Sequence, residues 1–183
     1  MTMRFLRTGF FLAVIATCLV VMVLVTLSGR KSAQASPYTT ASTTWVLPKL
    51  QGSGTVTLAQ FKGKPLVLDF FASWCTACRA ELPDFLGVSR KVAGKVQFAG
   101  VDSEENGDGV GMAQRYGVTA WPLARDVGGS QLSGLRESLE TIPGMPVTAF
   151  YDASGRVRLV HLGAETAQQL EADLKQLFSV SVS

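Results

Sequence analysis

The run Leu66–Phe71 is apolar at every position except Asp69. A strand with one face in water alternates apolar and polar residues, so this run predicts a central strand that is covered on both faces. Helical character follows from Cys75 to about Lys91, and Val96–Val101 is a second apolar run. A strand, a helix and a strand in this order predict a parallel βαβ unit.

Two further strands are predicted near the end of the chain. Pro146–Tyr151 and Val157–His161 flank the turn Asp152–Gly155, and two short strands joined by a tight glycine-containing turn form an antiparallel hairpin. Thr166–Gln169 has the pattern of a capping box and precedes an apolar stripe at helical spacing, which predicts a C-terminal helix. Together with the βαβ unit, these elements predict an α/β domain with a mixed central sheet and helices on both faces.

The segment between these two halves has weaker patterns. An acidic, glycine-rich loop follows Asp102, and we expect it to be solvated. Val110–Tyr116 and Gln131–Glu140 predict two short helices, and the residues between them are expected to be irregular.

The first 31 residues differ from the rest of the chain. Gly9–Leu27 is nineteen residues long and uncharged, and as a helix it would span about 29 Å, close to the thickness of a bilayer's hydrocarbon core. We therefore predict a transmembrane anchor within residues 1–31, a flexible tether at 32–44 and a globular domain at 45–183. Cleavage after Ala35 and secretion are the alternative. Either way, we expect the domain to lie outside the cytoplasm, and Cys18 to be an inert thiol in the membrane.

The charges of the chain are distributed unevenly. Four of the 17 Lys and Arg residues lie within the first 35 residues, which contain no acid, so the remainder holds 13 basic and 14 acidic residues. The basicity of the chain is thus a property of its leader, and the balance in the domain gives no reason to expect a nucleic-acid partner.

The sequence Trp-Cys-Thr-Ala-Cys at 74–78 lies between the central strand and the first long helix. A two-residue spacer at a helix start places the two sulfurs one turn apart on the same face, where a disulfide can close. The first sulfur also meets unpaired backbone N–H groups and the positive end of the helix dipole, which favour the thiolate. We therefore expect Cys75 to be the nucleophile and Cys78 the resolving thiol. The neighbours expected to contact a substrate are Trp74, Thr76 and Ala77.

Other uses of the cysteine pair are less well supported. A tetrahedral zinc site would need two more ligands, but the domain has no third cysteine and its one histidine is His161. A purely structural disulfide across two residues would restrict the unfolded chain little, so it would stabilise the fold weakly. The pattern thus favours a redox-active pair, with no metal.

The segment Asp69–Cys78 resembles the active-site strand and helix start of the thioredoxin superfamily. Within that superfamily, residues 45–178 are similar to the extracytoplasmic, membrane-anchored thiol–disulfide proteins of the TlpA and ResA type. The resemblance implies a thioredoxin-like fold and a redox-active disulfide in place of a cofactor. Other segments that match the family are Thr57–Pro65, Pro83 and Gly163.

The resemblance also implies a role for Asp69 as the buried acid of this family. A carboxyl in such a place is expected to have a raised pKa, which suits it to exchange a proton with Cys78. Gly100 occupies the position where thioredoxins often carry a lysine near this acid, and a solvent-facing Asp69 remains the alternative.

A proline with a cis peptide bond beside the two sulfurs is a further family feature. Pro122 and Pro146 are the candidates, and we assign Pro146 because it leads directly into a hairpin whereas Leu123–Asp126 does not. The cis bond would expose the backbone of Met145 for pairing with a substrate peptide.

The predicted function is that of an extracytoplasmic thiol–disulfide oxidoreductase acting on other proteins. The family resemblance favours a reductant that receives electrons from a membrane donor, with apocytochrome c or oxidised exported proteins as substrates, and we expect a monomer. A disulfide-forming oxidase is the first alternative, because the residues do not show the direction. A Cu(I) chaperone that uses both thiols and His161 is the second.

Overall fold

The computed structural model describes residues 40–126, 133–139 and 144–182. In chain order its strands are β1 (Val46–Pro48), β2 (Thr55–Thr57), β3 (Leu66–Phe71), β4 (Gln97–Ser103), β5 (Leu123–Asp126), β6 (Val147–Tyr151) and β7 (Val157–Leu162). Its α-helices are α1 (Thr40–Thr44), α2 (Thr76–Lys91), α3 (Gly109–Tyr116), α4 (Leu135–Leu139) and α5 (Ala167–Phe178). Two 3₁₀ turns lie at Leu58–Phe61 and Val118–Ala120.

The central sheet has the strand order β5-β4-β3-β6-β7. Strands β3, β4 and β5 are parallel, whereas β6 runs antiparallel to β3 and β7 antiparallel to β6. Strands β1 and β2 form a separate antiparallel pair. The arrangement confirms the predicted thioredoxin-like α/β fold with a mixed sheet.

Both faces of β3 are covered, as its composition predicts. Val67 and Phe71 lie in one hydrophobic core, and Leu66, Leu68 and Phe70 lie in the other. We call the face that carries Val67 and Phe71 the α2 face, because α2, α3 and α5 supply its core, and α4 packs on the opposite face. The helix residues buried on the α2 face include Leu82, Phe85, Val88, Met112, Leu170 and Leu174.

Helix α2 is built from local sequence signals. Leu82, Phe85 and Val88 recur at helical spacing and give the helix one buried face. Arg90 and Lys91 occupy the last turn, where positive charge interacts favourably with the carbonyl end of the helix dipole. The packing of this face fixes the axis of α2 and thereby the position of its first turn.

Strand β5 corrects the prediction of an irregular segment after Pro122. Residues Leu123–Asp126 pair in parallel with Gly100–Ser103 of β4, and Ala124 and Asp126 are buried. Four residues with two charges give no apolar run, so the pattern that defines a strand is absent. The backbone of β4 supplies the hydrogen-bonding partner that makes the segment a strand.

The predicted transmembrane segment, residues 9–27, lies outside the described residues. Within the part of the chain that is described, no helix is long and apolar enough to span a bilayer. The last five residues of the predicted tether form α1, and Ser42 in this helix is buried. Of the predicted helix Gln131–Glu140, the described portion is helical at Leu135–Leu139.

Gly100 provides a test of this packing. A Cβ atom at Gly100 would lie 2.8 Å from Cδ2 of Leu123 and 3.0 Å from Cε1 of Phe71, so we expect Gly100→Ala to lower the free energy of unfolding by about 1–3 kcal/mol. Gly87 in α2 has no heavy atom within 4 Å of such a Cβ, and Gly87→Ala should raise the free energy by about 0.5–1 kcal/mol. Urea unfolding of both variants measures the difference, and equal stabilities would contradict the packing described.

Candidate active site

Cys75 and Cys78 lie where β3 has ended and α2 begins. Cys75 is the N-cap residue of α2, and its Sγ accepts a hydrogen bond from the backbone N–H of Cys78 at 3.0 Å. The two sulfurs form a disulfide with the Cα atoms 5.3 Å apart, and both side chains are buried. In the reduced protein, the same amide and the helix dipole would stabilise a Cys75 thiolate.

The residues predicted to contact a substrate surround this disulfide. Trp74 is 44% exposed, and its indole Nε1 donates a hydrogen bond to the carbonyl oxygen of Glu104 at 2.9 Å. Thr76 and Ala77 are exposed on the first turn of α2. Met145 is half-buried and packs against the core cluster that includes both cysteines.

The Met145–Pro146 peptide bond is cis. Pro146 directly precedes β6, whose first residue, Val147, pairs with Phe70 near the end of β3. This register brings the proline to the same edge of the sheet as the cysteine pair.

Three carboxyl groups are buried next to one another on the α2 face, and we call them the acid cluster: Asp69, Glu81 and Glu165. Glu81 lies one turn after Cys78 in α2, and its Oε2 accepts a hydrogen bond from the backbone N–H of Glu165 at 3.1 Å. Neither carboxyl oxygen of Asp69 has a hydrogen-bond partner within the described residues. Burial without a compensating positive charge favours the neutral form of a carboxyl group.

The pKa values of the acid cluster follow from this environment. Burial raises the pKa of Asp69 to about 7. Burial, and then the nearby Asp69, raise the pKa of Glu81 to about 10, and burial followed by Asp173 raises the pKa of Glu165 to about 8. The cluster therefore holds protons near neutral pH, on the face of the sheet whose core includes Cys78.

The acidic loop after β4 is exposed at residues 106–108, as expected, but Glu105 in this loop is bound to the start of the active-site segment. Glu105 accepts hydrogen bonds from both the backbone N–H and the hydroxyl of Ser73 at 2.6 Å, and Asp102 is buried. Burial opposes ionisation of Glu105, but these bonds, with those from Asp102 and Gly107, lower its pKa overall. A charged Glu105 thus holds the backbone that leads into Trp74 and Cys75.

Helix α4 supplies a second set of contacts that holds the loops around the disulfide. The buried Arg136 donates from Nη2 to Oε1 of Glu104 at 2.5 Å and from Nη1 to the carbonyl oxygen of Gly144 at 3.1 Å. Because Glu104 also accepts the indole bond of Trp74, one guanidinium joins the tryptophan side of the site to the segment that precedes Pro146.

Sequence patterns pointed to some of these residues and not to others. Glu81 has a signal, since it follows Cys78 by three residues on an otherwise apolar helix face. Arg136 and Glu165 have none: Arg136 lies in a predicted helix, but nothing in that pattern points to Glu104 or Gly144 as its partners, and Glu165 lies in a turn before the last helix. Trp121 is buried, its ring lies 5.4 Å from that of Phe98 in a tilted arrangement, and its Nε1 donates a hydrogen bond to Oγ of Ser89.

His161 of β7 lies next to the acid cluster. Its Nδ1 lies 3.4 Å from Oε1 of Glu165. Among the described residues, no three His, Cys, Asp or Glu side chains are grouped so that they could hold a metal ion, so the copper site that would combine His161 with both sulfurs is not formed there.

Known proteins resemble this chain in both sequence and structure. The sequence model of the thioredoxin family matches residues 55–134. The thiol-disulfide oxidoreductase ResA of Bacillus thuringiensis subsp. konkukian is 29% identical over 134 residues, which are 73% of this chain and 74% of that protein. The thioredoxin-like protein YneN of Bacillus subtilis is 27% identical over 64% of this chain and 67% of its own length.

Two solved structures are also similar to this chain. A protein described as a thiol:disulfide interchange protein DsbE from Chlorobium tepidum has a TM-score of 0.55 and 28% identity, covering 74% of this chain and 92% of that one. The exposed lipoprotein thioredoxin of Streptococcus pneumoniae has a TM-score of 0.59 and 26% identity, covering 73% of this chain and 99% of its own. The chain contains a thioredoxin domain at residues 55–134, it is similar to thiol–disulfide oxidoreductases of the ResA type, and it is an oxidoreductase.

The buried Asp69 makes stability depend on pH. Its pKa is about 7 in the folded protein against an ordinary value of 3.8, so between these values the folded state binds more protons than the unfolded state and stability falls as pH rises. Asp69→Asn removes this dependence, and its stability relative to the wild type should rise by about 2 kcal/mol between pH 5 and pH 8.

Urea unfolding of the oxidised proteins at the two pH values measures this change. Glu171→Gln, which alters a partly exposed carboxylate on α5, is the control and should follow the wild type. An Asp69→Asn variant that parallels the wild type at both pH values would show that Asp69 is ionised when buried.

Proposed function

We propose that this oxidoreductase reduces disulfide bonds in other proteins outside the cytoplasm. The observation that carries the proposal is the placement of Cys75 Sγ at the first amides of α2, with the buried carboxyl of Asp69 on the same face of the sheet as Cys78. The first arrangement produces a nucleophile, and the second gives the resolving thiol a proton acceptor.

The exchange follows from these two roles. The Cys75 thiolate attacks a substrate disulfide, so that a mixed disulfide forms and one substrate sulfur leaves as a thiolate. Cys78 then gives its proton to Asp69 and attacks Cys75 Sγ, which releases the second substrate sulfur and leaves the Cys75–Cys78 disulfide. A membrane thiol donor returns the pair to the dithiol form.

The surface around the disulfide fits an extended peptide that carries an apolar residue beside its cysteine. Trp74 and Leu162 are each 44% exposed, and Leu162 pairs with Val147 directly after the cis proline. The backbone of Met145 would pair with the substrate strand, and Thr76 and Ala77 would contact it from α2. Apocytochrome c, whose paired cysteines must be reduced before haem attachment, is one substrate of this kind.

The location is proposed from the leader and from the relatives. Residues 9–27 would anchor the chain in the bilayer, residues 32–39 would tether the domain, and cleavage after Ala35 would instead release it. One structural relative is named as an exposed lipoprotein, which agrees with a domain on the outer side of a membrane. We propose that the chain acts there as a monomer.

A covalent trap tests the proposed activity. In Cys78→Ala the resolving thiol is missing, so Cys75 should remain bonded to its substrates and accumulate as complexes that dissociate with a reductant. Expression in native membranes, followed by identification of the captured polypeptides, should give exported proteins that contain disulfides, together with the membrane donor.

The control is Cys75→Ser in the Cys78→Ala background, which retains Cys18 and should capture nothing. Complexes equal in amount to those of the control would refute the exchange role. Capture of cytosolic proteins alone would refute the location, and a captured set consisting of proteins that gain disulfides would favour the oxidase direction.

A further inference from the structure

A row of polar side chains crosses three strands of the α2 face. Asp69 of β3 lies opposite Thr148 of β6, and Thr148 lies opposite His161 of β7. Residues two positions away on these strands, Phe71 and Phe150, belong to the core on this face, so the polar row shares it. Directly opposed side chains have their Cβ atoms about 5 Å apart. We call these three residues the polar row.

The polar row runs from the interior to solvent. Asp69 and Thr148 are fully buried, whereas the side chain of His161 is 31% exposed. Within the described residues, the hydroxyl of Thr148 and both carboxyl oxygens of Asp69 have no hydrogen-bond partner. Buried polar groups of this kind are uncommon and call for an explanation.

The acid cluster provides a second connection to the same histidine. The carboxylate of Glu165 is buried and lies 3.4 Å from Nδ1 of His161, while its backbone N–H binds Glu81. The Asp69 carboxyl acts electrostatically on both Glu81 and Glu165. The titratable groups that face His161 or the cluster are Asp69 from β3, Glu81 from α2, Glu165 from the loop before α5 and Asp173 from α5.

The exchange reaction would use such a connection. Cys78 is buried and loses a proton into a cluster whose three carboxyl groups are also buried, and a path to water lets that proton leave on oxidation and return on reduction. Imidazole is the side chain best suited to exchanging protons near neutral pH, and His161 contacts both the cluster and solvent.

We propose that His161 is the proton outlet of the active site. When Cys78 attacks Cys75, the S–H bond of Cys78 breaks, its proton passes to Asp69, and the electron pair freed from the mixed disulfide leaves with the substrate thiolate. His161 accepts the proton from the cluster through Glu165, whose Oε1 lies 3.4 Å from Nδ1 of His161, and releases it to water. Reduction of the Cys75–Cys78 disulfide reverses the path. The inference rests on the proposed exchange role of the two cysteines.

A two-step colour reaction tests the proton outlet separately from the exchange role of the two cysteines. One equivalent of an aromatic disulfide with a coloured thiolate product is mixed rapidly with the reduced protein. The first thiolate leaves when Cys75 attacks, and the second leaves when Cys78 resolves the mixed disulfide. In His161→Leu the first release should keep its rate and the second should slow by at least about tenfold, because proton transfer assists only that step.

Added imidazole should restore the second release in His161→Leu. His161→Gln keeps a polar side chain but cannot exchange protons, so its second release should also be slow and should also be restored by imidazole. Arg158→Leu removes a cation from the same strand, where its partner is Asp152 in the turn, and should leave both rates unchanged.

An unchanged second release in His161→Leu, or equal slowing of both releases without rescue by imidazole, would overturn the outlet and leave the exchange role intact. Absence of the first release from the wild type would instead overturn the exchange role itself.

Discussion

The contact between the backbone N–H of Cys78 and the sulfur of Cys75 is the interaction on which the site depends. It exists because β3 ends directly before α2 and both elements are fixed by the core. The six buried residues of β3 set the direction of the chain, and the apolar face of α2 sets the helix axis. The position of the nucleophile is therefore a consequence of packing, and a shift of the helix by a fraction of a turn would remove its amides from the sulfur.

In the acid cluster, the requirements of function and of stability conflict. Three buried carboxyl groups with no positive partner among them oppose folding, since each must be desolvated. A structural core would replace them with apolar side chains. Proton transfer during the proposed exchange would account for their presence near the resolving cysteine, and the surrounding cores offset their cost. The braces formed by Glu105 and Arg136 serve a related purpose, because they hold the loops on either side of the disulfide in one geometry.

The sequence predicted those parts of the molecule that depend on local patterns. Strand β3, helix α2, the β6–β7 hairpin and the capping box of α5 each have their own periodicity or turn residues, and the cysteine pair has a spacing that suits a helix start. Strand β5 could not be predicted, because its pairing with β4 and not its own composition makes it a strand. The burial of Asp102 and the role of Arg136 arise from contacts between distant segments. His161 had no sequence signal either, because its proposed role depends on its contact with Glu165 and on its position next to two neighbouring strands.

The most direct test of the account is the pH dependence of Cys75 reactivity in the reduced protein. Alkylation would be followed between pH 5 and pH 9 in a Cys18→Ser, Cys78→Ala variant, where Cys75 is the remaining thiol. Stabilisation by the amides of α2 predicts half-maximal reactivity at about pH 7 or below, against about 8.5 for an ordinary cysteine. Half-maximal reactivity near that ordinary value would contradict the account, because the helix would then contribute nothing to the thiolate.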